Sequence, residues 1–180
     1  MGSVTSKQLS AIFPRCPVDQ LDRYARLLTS ALVEAQINTI TRAAAFLGQI
    51  GLESGELRWL EEFADGSDYE GREDLGNIAL GDGPRYKGRG FIQLTGRSNY
   101  REYGGILGLP LEDQPELAAD PEHGFRIAAL YWTKKNLNQK ADMLDYEGIT
   151  RAINGGLNNY DRRQAYYFHA LEVLGRETSL

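Results

Sequence analysis

Cysteine occurs once, at Cys16, so no intrachain disulfide can form. A lone cysteine of this kind reads as a small buried hydrophobe rather than a nucleophile. Histidine occurs only at His123 and His169. Neither has a Cys/His partner at metal spacing, so structural or solvent-exposed roles are expected for both. No apolar run approaches the length of a membrane span, so no stable membrane insertion is expected. The first residues, Met1 to Lys7, lack the apolar core of a signal peptide, and synthesis in the cytosol is expected. Basic excess is also missing: the net charge is -5, which argues against a nucleic acid partner. There is no Gly-x-Ser-x-Gly motif and no P-loop. The acidic stretch Asp65 to Asp74 lacks EF-hand spacing, so calcium binding is not expected.

What remains is an ordinary globular composition in 180 residues, enough for one domain with a real core. No repeat, low-complexity tract or linker divides it, so a single domain over 1–180 is expected. Helical spacing predicts a short helix at Leu9 to Phe13, stopped by Pro14 and Pro17. Asp19 is the expected cap of a helix carrying Leu21, Tyr24, Leu28, Leu32 and Ala35. Asn38 or Thr39 caps a second, with Ile40, Ala43, Ala44, Leu47 and Ile50 inward. Gly66 to Gly83 reads as a polar loop ending in an Asp82-Gly83-Pro84 turn. Gly90 to Thr95 reads as a strand, and Gly104 to Pro115 as a connector. Asp120-Pro121 opens a helix with Phe125, Ala128, Ala129 and Trp132 on its apolar stripe. Tyr146 to Ile153, stopped at Gly155-Gly156, and Tyr160 to Leu174 are the last helices. The fold class predicted is mainly α with a small β element.

Two glutamates carry the first chemical signal. Glu53 ends an apolar helical stretch and is followed by Ser54-Gly55. A carboxyl partly desolvated at a helix C-terminus suits a general acid that stays protonated near neutral pH. Glu62 lies nine residues further on. On one continuous helix that spacing turns the chain about 900° and separates the Cα atoms by about 13 Å, so the pair could share no site. They can cooperate only if the helix ends near Ser54-Gly55 and the chain folds back. With a carboxyl separation of about 6.5–9.5 Å, Glu62 can then serve as the base of an inverting glycosidase. On chemistry alone Glu61 is an equal candidate.

The second signal is Arg85-Tyr86-Lys87-Gly88-Arg89-Gly90-Phe91-Ile92-Gln93-Leu94-Thr95. Its glycines allow a backbone or ligand to approach closely. In a strand, Phe91, Gln93 and Thr95 share one face, offering an amide and a hydroxyl to a sugar or a catalytic water. Asn99 and Asn154 are further amide candidates. Residues 87–94 loosely follow an RNA-recognition pattern, but Arg89 and Leu94 stand where stacking aromatics are needed.

At these residues the chain resembles glycoside hydrolase family 19, in particular its phage and prophage endolysin branch, over about Ala43 to Leu174. Ala45 to Gly55 resembles the general-acid segment, Arg85 to Gly96 the most specific signature, and Ala152 to Gly156 a later substrate-binding turn. The resemblance implies a lysozyme-like fold with a central substrate cleft, Glu53 as general acid and Glu62, rather than Glu61, as base. It implies that Thr95 holds the nucleophilic water and that Gln93, Asn99, Asn154 and Arg163 bind sugar. Leu52 and Phe63 depart from the family's pattern, which often has His before the acid and Asn after the base. The activity implied is hydrolysis of the β-1,4 bond between N-acetylmuramate and N-acetylglucosamine in peptidoglycan, a chemistry that requires no metal or other cofactor. A monomer without a separate wall-binding module is expected, acting on the periplasmic wall after a holin has permeabilised the membrane. Chitinase activity is the nearest alternative, and a non-catalytic saccharide-binding module is the alternative of another class.

Overall fold

The computed structural model describes residues 3–176. Its helices are α1 Ser6–Ile12, α2 Leu21–Glu34, α3 Ile40–Glu53, α4 Asp82–Arg85, α5 Arg97–Leu107, α6 Pro121–Lys134, α7 Leu137–Asp142, α8 Tyr146–Asn154 and α9 Tyr160–Gly175. Two compact units are distinguished. One holds the described residues up to Arg58 and from Ala129 onward; the other is Trp59–Ala128. Among the described residues, no helix is long and apolar enough to cross a membrane.

The first unit is organised on α3. Every residue from Ala43 to Gly51 is buried, so this helix is enclosed on all sides rather than amphipathic. The Thr39 side chain accepts from the Arg42 N–H and caps it. Helix α9 packs along α3. At their crossing a Cβ on Gly48 would lie 2.5 Å from the Tyr146 hydroxyl oxygen and 3.1 Å from two backbone atoms of α9. Phe46 meets Trp132 edge-on at 5.5 Å, and Tyr146 stacks on Tyr167 at 4.5 Å. Cys16 is buried, and desolvation pushes its thiol up to about 11. His169 is tied to the Ala11 carbonyl.

Helix α3 ends where the chain has to turn. Ser54 is its C-cap, and Gly55, Glu56 and Leu57 all have left-handed φ, at 57°, 66° and 63°. The break required at Ser54-Gly55 is therefore present, extended over two residues with side chains. Such a conformation costs about 1 kcal/mol per non-glycine residue. Compensation is visible at Glu56, whose buried carboxylate accepts from the Arg15 backbone and guanidinium at 2.6–2.8 Å and from the Tyr166 hydroxyl at 2.8 Å.

Several sequence expectations are corrected. Asp19 does not cap α2: it lies in a 3-10 turn, Val18–Gln20, and Gln20 holds the cap position without a side-chain bond. Asp82-Gly83-Pro84 forms the short α4 rather than a simple turn. The connector expected from Gly104 to Pro115 starts later, because Gly104 to Leu107 are the last residues of α5. A Cβ at Gly104 would sit 2.6 Å from the Leu109 carbonyl oxygen, so glycine there serves close packing, not helix breaking. Most important, Gly90 to Thr95 is not a strand. Gly90 and Gln93 both have left-handed φ, 77° and 55°, and the chain reverses between them. Arg89 and Leu94 exchange two backbone hydrogen bonds, at 3.1 and 2.8 Å, closing a tight loop. The β element reduces to two isolated bridges among the described residues, Glu61 with Arg89 and Arg89 with Leu94.

Candidate functional site

The first unit places Glu53 at the last position of α3. Its side chain is 22% exposed and is bound by Arg163 of α9 at 2.5 Å. The partly buried helix-end setting expected of Glu53 is found, with an arginine partner that the sequence reading did not foresee. Arg163 itself is buried, and its remaining nitrogens donate to Gln49 Oε1 at 2.7 Å and the Asn158 carbonyl at 3.3 Å. Its guanidinium is thus committed to protein acceptors rather than displayed to a ligand. Gln49 in turn donates to Thr150 Oγ1 at 2.9 Å, and Tyr146 donates to the Arg163 carbonyl. Helices α3, α8 and α9 together fix one carboxylate through a buried relay. Burial pushes the neighbouring Tyr131 hydroxyl up to about 12, with the Glu53 charge adding to it.

Asn154 is the last residue of α8, before Gly155 at φ 73°. Its Nδ2 is buried without a hydrogen-bond partner among the described atoms. An orphaned buried donor is unusual.

In the second unit the two adjacent glutamates have different surroundings. Glu61 forms ion pairs with Lys87 at 3.1 Å and Arg89 at 3.4 Å. Among the described residues no ion pair reaches the Glu62 carboxylate; Lys87 Nζ donates to the Glu62 backbone carbonyl instead, at 3.4 Å. Its Oε1 accepts the Gly88 N–H at 2.8 Å, and its Oε2 accepts the Tyr69 hydroxyl at 3.0 Å. Each carboxylate oxygen keeps a further lone-pair site. Glu61 is a structural counter-ion for a buried arginine, whereas Glu62 is oriented by neutral donors. Sequence chemistry left these two residues tied; in the structure their carboxylates have different partners.

The closed loop after Gly88 brings the Gln93 side chain close to Glu62. A Cβ on Gly88 would lie 2.9 Å from Gln93 Oε1 and 3.3 Å from the Glu62 carboxyl, so both side chains converge on this glycine. Gln93 donates its amide to the Gly90 carbonyl at 3.0 Å. Thr95 Oγ1 donates to the Gln93 carbonyl at 2.9 Å, and Asn99 Nδ2 to the Thr95 carbonyl at 2.7 Å. With its proton directed at Gln93, the Thr95 oxygen can still accept a hydrogen bond. Phe91 turns inward onto Phe125, with centroids 4.0 Å apart, and shares no open face with Gln93 and Thr95. His123 is tied to the Leu117 carbonyl. No metal-binding group of side chains occurs among the described residues.

Tyr69 and Gln49 were not singled out by sequence reasoning. Tyr69 lies within the acidic stretch, where nothing in the local pattern marks it.

The profile of the family described as chitinase class I, glycoside hydrolase family 19, matches residues 30–145. The chain belongs to glycoside hydrolase family 19. A family 19 domain-containing protein of Haemophilus influenzae is 37% identical over 99 residues, covering 55% of this chain and 48% of that protein. An Arabidopsis thaliana endochitinase is 33% identical over 179 residues, covering 93% of this chain and 61% of its own length. The chain thus spans about half to three-fifths of these two relatives. The fold is that of the family 19 chitinases, which is lysozyme-like. Chitinase C of Streptomyces griseus superimposes with a TM-score of 0.78 at 22% identity, over 96% of this chain and 76% of that one. A class IV family 19 chitinase of Zea mays gives 0.71 at 21% identity, over 97% and 92%.

Proposed function

We propose that this family 19 chain hydrolyses β-1,4 glycosidic bonds in an N-acetylglucosamine-containing glycan by an inverting acid/base mechanism. The observation that carries the reading is the contrast between Glu61, neutralised by Lys87 and Arg89, and Glu62, held by the Gly88 N–H and the Tyr69 hydroxyl. Glu62 deprotonates the attacking water. Thr95 accepts a hydrogen bond from that water's other O–H, since its own hydroxyl proton is directed at Gln93. Glu53 protonates the glycosidic oxygen. For Glu53 to act as a proton donor, its ion pair with Arg163 must loosen, and Gln49 and Asn158 remain as acceptors for the buried guanidinium. Gln93, Asn99 and Asn154 bind the sugar amides and hydroxyls, the orphaned Asn154 Nδ2 being the donor most in need of an acceptor.

The glycan we propose is peptidoglycan, cut between N-acetylmuramate and N-acetylglucosamine in the course of host lysis, with a holin giving access to the wall. Support for this choice is the nine-residue spacing from Glu53 to Glu62, in which the chain resembles the endolysin branch. Chitin is the second reading, favoured by the endochitinase similarity.

Purified peptidoglycan and N-acetylglucosamine hexamers, treated with wild type, Glu53→Gln and Glu62→Gln, separate these readings. Mass spectrometry identifies the new reducing ends, and NMR of fresh product shows the anomer. Inversion requires the α-anomer at first. Undiminished product release by Glu53→Gln sinks the mechanism.

A further inference from the structure

The segment 66–83 reads in sequence as a polar loop, yet it is rigidly built around one hydroxyl. Tyr69 closes the 3-10 turn Ser67–Tyr69, and its backbone carbonyl accepts from Asn77 Nδ2 at 2.9 Å. Asn77 is fully buried, and its Oδ1 accepts the Arg97 N–H at 2.9 Å, tying Tyr69 to the start of α5. Arg97 also pairs with Asp82 at 3.4 Å. The Asp82 carboxylate gathers the Ile78 and Ala79 N–H groups at 3.1 and 2.9 Å. Glu70, next to Tyr69, gathers the Gly81 and Gly83 N–H groups at 2.7 and 2.8 Å. Both ends of the segment are thereby fixed, and the Tyr69 ring is half-buried with its hydroxyl 3.0 Å from Glu62 Oε2. Burial, then the bond to Glu62, push the Tyr69 hydroxyl above its ordinary range, so it remains a donor.

We propose that Tyr69 is a positioning residue for Glu62, setting the rotation of its carboxylate against the attacking water; this rests on the reading of Glu62 as the base. The Gly88 N–H fixes one carboxylate oxygen but leaves rotation about that contact open. The Tyr69 hydroxyl fixes the second oxygen. The plane of the carboxylate, and with it the direction of the free lone pairs, is then set before substrate binds. Tyr69 moves no proton in the reaction and makes no contact with the sugar.

The test compares Tyr69→Phe, Glu62→Gln and the double variant on N-acetylglucosamine hexamers and on purified peptidoglycan, with kcat, KM and thermal midpoint recorded for each. Tyr69→Phe keeps the ring and removes only the oxygen. Its kcat is expected to fall on the order of 10-fold, with KM and thermal midpoint unchanged. In the Glu62→Gln background the same change should give no further loss, because the two residues act as one unit. Wild-type kcat in Tyr69→Phe overturns the positioning role, as does an independent, multiplicative loss in the double variant. A raised KM with a lowered thermal midpoint also overturns it, by showing a merely structural tyrosine. Wild-type turnover by Glu62→Gln is a different result: it removes Glu62 as base, and the role of Tyr69 falls with it.

Discussion

Glu62 and Gly88 are joined twice: the Glu62 N–H donates to the Gly88 carbonyl at 3.0 Å, and the Gly88 N–H donates to Glu62 Oε1 at 2.8 Å. A side chain at position 88 would therefore crowd the carboxylate. In Gly88→Ala the new methyl meets the movable end of Gln93 at 2.9 Å and the carboxyl group at 3.3 Å. The fold should absorb this for about 1 kcal/mol. Turnover should fall on the order of 100-fold, because the carboxylate is displaced by a fraction of an ångström. Kinetics and urea unfolding of the same preparation check the split; equal losses in both contradict it.

Glu61→Gln tests the distinction between the adjacent carboxylates. It removes the ion pairs to Lys87 and Arg89, and Arg89 is buried with its Nε already unpartnered. Stability should drop by about 1–2 kcal/mol, while turnover stays within about threefold of wild type. A loss of turnover matching that of Glu62→Gln would restore the tie between them.

The break between Glu53 and Glu62 was legible because a helix has a fixed pitch: nine residues cannot bring two side chains together without an interruption. A cap at Asn38 or Thr39, of which the structure uses Thr39, and Gly155 as terminator were legible for similar local reasons. The Gly90 to Thr95 segment was not. Its alternation fits a strand, but Gln93 takes a left-handed conformation that alternation does not encode, and the Arg89–Leu94 pairing closes a loop instead. Arg163 was placed near the cleft by resemblance alone. Its contact with Glu53 spans 110 residues and depends on how α9 packs against α3, which no local pattern specifies.

That packing makes Gly48 sensitive. A methyl group there meets the Tyr146 hydroxyl at 2.5 Å and the backbone at Arg163 and Tyr167 at 3.1 Å. Unlike Gly88, it faces main chain that can yield only by moving α9. Gly48→Ala should therefore lose about 2–3 kcal/mol despite alanine's better helix propensity. Because Arg163 moves with α9, activity should also fall at temperatures where the variant is fully folded. A thermal midpoint at or above wild type would contradict the close crossing.

Glu56 separates backbone strain from side-chain bonding. Both Glu56→Ala and Glu56→Gly remove the carboxylate that binds Arg15 and Tyr166. Only glycine also relieves the left-handed φ of 66°. Both variants should be less stable than wild type at pH 7, and the glycine variant should exceed the alanine variant by about 1 kcal/mol. Chemical unfolding of the three proteins gives the order directly; alanine equal to glycine would mean that this residue carries no strain.

Acid stability turns on Glu112. Side-chain hydrogen bonds from Arg101 and then Arg97 hold its carboxyl down at about 2, against 4.5 for a free glutamate. A carboxyl depressed in the folded state binds fewer protons there than in the unfolded chain. Its stabilisation is therefore complete above about pH 4.5 and is lost as pH falls towards 2. Because Arg101 is largely exposed, solvent screening limits the contribution to about 1 kcal/mol. Glu112→Gln should accordingly be less stable than wild type at pH 7, with the difference shrinking below pH 4.5 and vanishing near pH 2. Urea unfolding across that range measures it, and a difference that persists unchanged at the acid end would show that Glu112 acts through packing instead of charge.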